Sequence, residues 1–246
     1  MATRGNQQAL LVDEFNFSCA TAEVTTQFTV NEYETPNLCM TGNEYIPGDS
    51  RAEITANGYI IGVDADGNEA ETYARLGVDG TVVAHLLNRT EPGTPAYVIE
   101  NAFAGENTWG APVANVLALN GKWSSGVGGT RRSYLVVYDV EITATGNQAA
   151  VDFGSAGSAG GSAFLFVHEI DGNKSGTASG ASFKVQSSAD NVTFADEATI
   201  SVNSTDAYAA SLTGTVNRYI RLNISSLGGA TSFRVSLVAS VNNVTH

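Results

Sequence analysis

Phe233-Arg234-Val235-Ser236-Leu237-Val238-Ala239-Ser240-Val241 decides the fold class. Phe233, Val235, Leu237, Ala239 and Val241 recur at strict period two, with Arg234, Ser236 and Ser240 between them. An extended chain points successive side chains to opposite faces, so this run predicts a strand with one set buried and the other toward solvent. Shorter runs of the same kind lie upstream. Phe183, Val185 and Ser187 alternate with Lys184 and Gln186, and Ile220, Leu222 and Ile224 alternate with Tyr219, Arg221 and Asn223. Turn chemistry stands between the runs at Asp171-Gly172-Asn173, Ala189-Asp190-Asn191 and Leu227-Gly228-Gly229. Strands of roughly eight residues at regular spacing predict a β-sandwich. A Gly/Ser/Ala stretch, Gly154 to Gly161, reads as a flexible loop within that unit, because strands lie on both sides of it.

Working outward, composition shifts near Tyr138. Residues 1–138 hold 7 basic and 16 acidic residues, net −9, and residues 139–246 hold 5 and 9, net −4. A chain of 246 residues against a prior of roughly 150 per domain makes one large or two ordinary domains. The expected division is 1–138 and 139–246. The first part also reads mostly as strand, at Val24 to Val30, Glu53 to Ile61 and Arg132 to Ile142. Asn68 to Leu76 differs: Ala70, Tyr73, Ala74 and Leu76 fall at helical spacing, with Glu69 and Glu71 in the first turn, where the helix dipole favours them. Val82 to Leu87 is a second helix candidate, separated from the first by Gly77-Val78-Asp79-Gly80. The fold class is therefore all-β with minor α: an antiparallel barrel or sandwich with one short helix, followed by a β-sandwich.

Composition narrows function. The hydrophobic share is 43% and the charged share only 15%, a balance that opposes disorder. No apolar run approaches the ~18 residues of a membrane span, and Met1 to Leu11 lacks the basic-then-apolar pattern of a secretory signal. Synthesis in the cytosol is expected. A net charge of −13 opposes the usual electrostatic grip on nucleic acid, in which Lys and Arg displace counterions. Cys19 and Cys39 read as two buried free thiols, a bridge between strands being the alternative.

Few residues form a chemical constellation. Asp64, Asp66 and Asn68 match the first ligand offsets of a calcium loop, but Glu69 stands where Gly is needed and Arg75 where a bidentate Glu is needed. An acidic surface turn is the better reading. His85, His168 and His246 are scattered, with no Cys or His at ligand spacing; strand packing or exposure explains His168. Gly48-Asp49-Ser50 has no elbow of the G-x-S-x-G type around it. Gly126-Val127-Gly128-Gly129-Thr130-Arg131-Arg132 lacks the Lys-Ser/Thr of a phosphate loop and runs into a strand, so it reads as a mobile hairpin ending in a small positive patch. That patch suits the acidic face of a neighbouring copy. N-x-S/T triplets at Asn16, Asn88, Asn191, Asn203, Asn223 and Asn243 reflect abundant Asn, Ser and Thr. Trp109 and Trp123 are the candidates for a sugar platform, against filling a core or an interface. No catalytic, cofactor-binding or metal-binding residue is assigned.

Two stretches carry a resemblance. Phe15-Asn16-Phe17-Ser18, Tyr45-Ile46-Pro47-Gly48, Ile54-Thr55-Ala56-Asn57-Gly58-Tyr59 and the helix around Glu71 to Leu76 follow one another. In that order they resemble the opening hairpin, Pro-Gly turn, N-G-Y strand and helix of the tail-tube-like proteins of long-tailed bacteriophages. Ile142-Thr143-Ala144-Thr145-Gly146-Asn147 to Val241 looks like the β-sandwich module appended to many phage virion proteins. Its marks are Phe183-Lys184-Val185-Gln186-Ser187-Ser188, Asp190-Asn191-Val192-Thr193-Phe194 and Gly214-Thr215-Val216-Asn217-Arg218-Tyr219-Ile220-Arg221. The resemblance implies a non-enzymatic structural protein of the virion tail, a tube subunit stacking as hexameric rings around a DNA channel. Its partners would be copies of itself, other tail proteins, and DNA passing without specific binding. Carboxylates concentrated in residues 1–138 suit such a lumen, since DNA carries one negative charge per ~1.7 Å. Ala104 to Ala111 and Ser124 to Arg131 are then segments expected to order on stacking. A capsid decoration or minor tail protein, and a carbohydrate-binding or adhesin module, are the alternatives.

Overall fold

The computed structural model describes residues 7–19, 21–35, 44–59, 80–110, 118–125, 129–157 and 160–241. Its first strands are β1 (Ala9–Val12), β2 (Phe15–Asn16), β3 (Thr21–Thr35), β4 (Glu44–Tyr59), β5 (Thr81–Leu86), β6 (Pro95–Gly110), β7 (Ala118–Ser125) and β8 (Thr130–Ile142). Then follow β9 (Gly146–Asn147), β10 (Val151–Asp152), β11 (Ser162–Ile170), β12 (Thr177–Ser188), β13 (Ala195–Ser204), β14 (Asp206–Ser211), β15 (Tyr219–Ser226) and β16 (Phe233–Ser240). A 3-10 turn at Phe17–Cys19 interrupts them. The protein is all-β, with curled antiparallel sheets that form a half-barrel.

An eleven-stranded sheet runs β14-β11-β16-β8-β6-β5-β1-β2 and branches at β6 into β7, β4 and β3. The branch has a local cause. Pro95 to Ile99 of β6 pair with β8, whereas Ala102 to Gly110 pair with β7. Between them Asn101 has a φ of 57°, a left-handed conformation that Asn tolerates better than most residues. β6 thus leaves one layer and enters another. A five-stranded sheet, β10-β15-β12-β13 with β9 on β15, covers the opposite side.

Three apolar cores separate these layers. Val24, Ile54, Ala56 and Trp123 of the β3–β4–β7 layer pack on Leu10, Val12, Val83 and Ile99. Ala9, Leu11, Ala84, Leu86, Val98, Leu135, Phe164, Phe166 and Val238 fill the hollow of the curled sheet. The largest core holds Leu165, Val167, Val235 and Leu237 against Phe183, Val185, Ile220, Leu222 and Ile224 of the five-stranded sheet. β11 lies between two cores, so it reads as a nearly continuous apolar run instead of an alternation.

The same sandwiching corrects the expectation for β16. Phe233, Val235, Leu237, Ala239 and Val241 do share one buried face. The intervening Ser236, Val238 and Ser240 are equally buried, at 0% exposure, because the central sheet is covered on both sides. Val82 to Leu87 is not a helix: Thr81–Leu86 is strand β5, fully buried and paired with both β1 and β6. Its β-branched Thr81, Val82 and Val83 favour the pleated conformation once neighbours are available on both edges. Pro47-Gly48 is no turn. Pro47 lies inside β4 opposite Glu32, beside a register shift after Val30, the kind of irregularity that tolerates Pro within a strand. Ala104 to Gly110 belong to β6, and Ser124 and Ser125 to β7, so those parts of the two stacking segments are already strand.

The turns at Asp171-Gly172, Asp190-Asn191 and Gly228-Gly229 occur where turn chemistry put them, with Asp171 at φ 54° and Gly228 at 57°. The Gly154–Gly161 stretch contains no strand among its described residues and is tied by the Gly157 amide donating to the Val216 carbonyl at 2.8 Å. The helix expected at Asn68 to Leu76 lies outside the described residues.

Candidate functional site

Two places concentrate side-chain chemistry, the mouth of the curled sheet and the underside of the β3–β4 hairpin. At the mouth, neighbouring strands are irregular at one level. The β11–β16 register shifts between Val167 and Glu169, and the β16–β8 register shifts between Val235 and Leu237. His168, Ser236 and Asp139, the last at φ 50°, sit at these irregularities. β-Bulges bend a strand and sharpen its twist, which curls the sheet until β11 meets the turn after β1.

Hydrogen bonds lock that closure. The Asp139 amide donates to Ser236 Oγ at 2.9 Å, and Ser236 Oγ lies 2.9 Å from His168 Nε2. His168 Nδ1 lies 2.8 Å from the Glu14 carbonyl oxygen. Every atom is satisfied when Nδ1–H donates to Glu14 and the serine hydroxyl donates to Nε2. Beside them a groove of about 460 Å³ is lined by Glu14, Tyr138, Asp139, Glu169, Lys174 and Arg234, among others. Arg234 binds Asp139 at 3.2 Å and Glu169 at 3.5 Å.

A serine within hydrogen-bonding reach of an imidazole is what a nucleophile and its base look like. The surroundings make this pair a brace. Ser236 is wholly buried, and its oxygen already accepts the Asp139 amide. The far side of the ring faces a neutral carbonyl, where an orienting carboxylate would be needed to stabilise an imidazolium. Burial, the largest influence, pushes the His168 pKa below its ordinary value, against the opposing bond to Glu14 and the charge of Asp139. The ring therefore stays neutral and joins residues 154 positions apart. Nothing in the sequence flagged this: the bonds come from bulges, which alternation does not reveal.

Under the hairpin, the inward row of β3 emerges stepwise from the core. Val24 is 6% exposed, Phe28 41% and Val30 52%, with Thr26 between. Thr26 Oγ1 meets the buried His85 Nδ1 at 2.7 Å. Phe28 stands edge-on to Tyr97, with ring centroids 5.3 Å apart. Beyond that contact the hairpin and the body enclose an open cleft of about 370 Å³, lined by Phe28, Val30, Arg51, Tyr97 and Arg132. Burial lowers the pKa of His85 from 6.5 to about 4. Its Nε2 has no hydrogen-bond partner among the described residues.

The remaining residues of interest are dispersed. Trp123 is 1% exposed in the core, packed over Gly121, so it cannot offer a sugar platform; the side chain of Trp109 lies outside the described part. Arg131 pairs with Glu100 at 3.4 Å, while Arg132 stacks over Tyr134 at 5.7 Å. Asn16, Asn88 and Asn223 bond within the fold, to Tyr138, Thr90 and Asn147. Asp64, Asp66, Asn68, Cys39, Asn243 and His246 lie outside the described residues, and the pairing of Cys19 with them. Among the described residues, no group of three or more His, Cys, Asp or Glu is placed to hold a metal ion. No described helix is long and apolar enough to cross a membrane.

No protein-family model matches the chain, and no curated protein matches it. Solved structures do share parts of its arrangement. One is a chain of the virion of a native gene transfer agent particle, 12% identical over 54% of this chain and 98% of that one, with a TM-score of 0.42. Another is from the tube-terminating cap of the anti-feeding prophage, 10% identical over 55% and 92%, with a TM-score of 0.41. A third is the SPP1 Dit protein, described as a paradigm of the hub adsorption apparatus in phages infecting Gram-positive hosts. It is 12% identical over 95% of this chain and 98% of that one, with a TM-score of 0.36.

Proposed function

We propose that this chain is a structural protein of a virion tail, the subunit of the tail tube, which works by joining copies of itself and catalyses no reaction. One observation carries the reading: the large sheet is open, and apart from the two-residue β2 its ends, β3 and β14, are unlike edges. Among the described residues, β3 has a ladder only with β4, and β14 only with β11. β3 is 15 residues long, and its stretch Val24-Thr25-Thr26-Gln27-Phe28-Thr29-Val30 has neither charge nor Pro. Free edges of that kind template pairing with another strand, and monomeric proteins usually blunt them with Lys, Pro or short length. Two unlike edges meet head to tail, and head-to-tail contacts close into rings when the rotation permits.

The reading takes residues 1–138 as the tube-forming part and 139–246 as an appended sandwich, joined along β8. The −9 of the first part would face the lumen and repel passing DNA. The rings would be hexameric, in line with the sequence resemblance, and would sit with other tail proteins in the virion. Concentrated purified protein should form rings or tubes in negative-stain images and sediment far above its 25.6 kDa. A particle that remains a monomer at every concentration and salt overturns the proposal, and a tube with basic lumen walls overturns the placement of charge.

A further inference from the structure

The inward row of β3 poses a question that the isolated chain does not answer. Its residues point at the body of the protein, yet exposure rises from 6% at Val24 to 52% at Val30. Among described residues the exposed large apolar side chains are Phe28, Val30 and Val192, and the first two share this one cleft. Apolar side chains gathered in a concave place with a polar rim mark contact sites, whereas single exposed ones are ordinary.

Facing the hairpin is a row formed by His85, Tyr97 and Arg132, directly opposed on β5, β6 and β8. Its charge is unlike that of the chain as a whole. Arg132 has no carboxylate partner among the described residues. Arg51 shares the single carboxylate of Glu53 with Lys122, at 2.7 and 2.9 Å. In a chain of net −13, this is a local excess of positive charge beside apolar surface. The β14 end of the sheet is the reverse. The exposed Asp206 opens the free β14 edge and has no cation partner among the described residues.

We propose that the cleft under the β3–β4 hairpin receives the β14 edge of a second copy, with Phe28, Val30 and Tyr97 becoming buried and Arg132 meeting Asp206 of the incoming chain. The proposal rests on the self-assembly reading and names the surfaces that carry it. Opposite charges at the two ends allow head-to-tail contact and penalise contact between like ends. The pairing is near the surface, so added salt weakens it.

The test compares assembly of wild type, Phe28→Asp, Arg132→Glu, Asp206→Arg and the double variant Arg132→Glu/Asp206→Arg by sedimentation and negative-stain microscopy. Far-ultraviolet circular dichroism verifies that each stays folded, as expected for exposed positions. Each single variant should raise the concentration needed for assembly by about tenfold or more, and the double variant should recover most of that loss. Wild-type assembly that persists unchanged in Phe28→Asp and Arg132→Glu overturns the cleft while leaving self-assembly standing. Failure of the double variant to recover overturns the β14 edge as the occupant. A wild type that never assembles removes the reading and the cleft together.

Discussion

The two-sheet sandwich at the C-terminal side and the β3–β4 hairpin are both antiparallel, yet they are finished to different degrees. In the sandwich, every inward residue of β12 and β15 from Ala181 to Val185 and Ile220 to Ile224 is essentially unexposed. Its loops are closed by side chains: Asp190 Oδ1 accepts the Val192 and Thr193 amides, both at 2.9 Å, and Asp171 Oδ1 accepts those of Thr231 and Ser232. In the hairpin the inward row begins buried and ends half in solvent. The first region completes its own packing, and the second stops part-way. A strand whose apolar face outruns its cover is evidence about what covers it in use, and that contrast can be measured.

The largest effect should come from the sandwich core. Phe183 is 0% exposed and stands edge-on to Phe233, with centroids 5.2 Å apart. Phe183→Ala should destabilise the monomer by about 3–5 kcal/mol, read from urea denaturation followed by fluorescence. Phe28→Ala, the corresponding deletion in the hairpin, should cost less, about 1–2 kcal/mol, since Phe28 is 41% exposed and leaves no enclosed cavity. Equal losses at the two sites would erase the distinction between finished and unfinished packing.

Acid should act next, beneath the hairpin. His85 is held neutral in the fold, with its pKa at about 4 against an ordinary 6.5. Between those values the unfolded chain binds a proton that the folded chain refuses, so stability falls as pH drops from about 6.5 to about 4 and levels off below. The loss is on the order of 3 kcal/mol, and His168, also depressed by burial, adds in the same direction. The carboxylates of Asp152, Asp171, Asp190 and Asp196 are shifted down, chiefly by hydrogen bonds, and act only at lower pH, as they become protonated. Urea midpoints from pH 7.5 to 4.5 should fall in the wild type and fall less in His85→Gln. A flat profile would mean that the histidines take up protons without cost.

Periodicity carried most of the fold. Alternation in β12, β15 and β16 marked the inward faces correctly, and Gly, Asp and Asn placed the turns. What alternation does not encode is how many sheets cover a strand. Ser236 and Ser240 look like solvent-facing positions, but small hydroxyls are tolerated inside when a bulge supplies a partner, as the Asp139 amide and His168 do for Ser236. β5 resembles a helix segment in sequence because a fully buried short strand has no polar phase to distinguish the two. The candidate site was least legible. His168, Ser236 and Glu14 meet only because three strands bend together, and the cleft exists only because β3 diverges from β5 and β6. Neither is a property of any one segment.

Within the hairpin's own layer, packing is tight at one point. A Cβ added at Gly121 would lie 2.5 Å from the Trp123 ring, inside contact distance. The ring is rigid and 1% exposed, so it cannot swing away cheaply. Gly121→Ala should cost about 1–3 kcal/mol, detected as a lowered thermal midpoint together with altered tryptophan fluorescence. An unchanged midpoint would indicate that this layer is loosely packed throughout, and not only at its outer end.

The smallest effect should be at Val192, and it sharpens the comparison most economically. Val192 is 81% exposed, more than Phe28 or Val30, so a rule based on exposed apolar surface alone would rank it first as a contact residue. Its setting differs. It projects from a loop already ordered by Asp190, which sits beside Phe194, and the Phe194 ring is itself covered by Arg221 at 3.7 Å. Among the described residues no other exposed large apolar side chain neighbours it in sequence, and isolated apolar residues are normal on protein surfaces. Val192→Ser should therefore change stability by less than about 0.5 kcal/mol and leave the concentration at which copies associate unchanged, measured by sedimentation beside Phe28→Asp. If Val192→Ser weakened association as strongly as Phe28→Asp, exposure would matter regardless of setting. The graded emergence of β3 from the core would then lose its meaning as a mark of an incomplete surface.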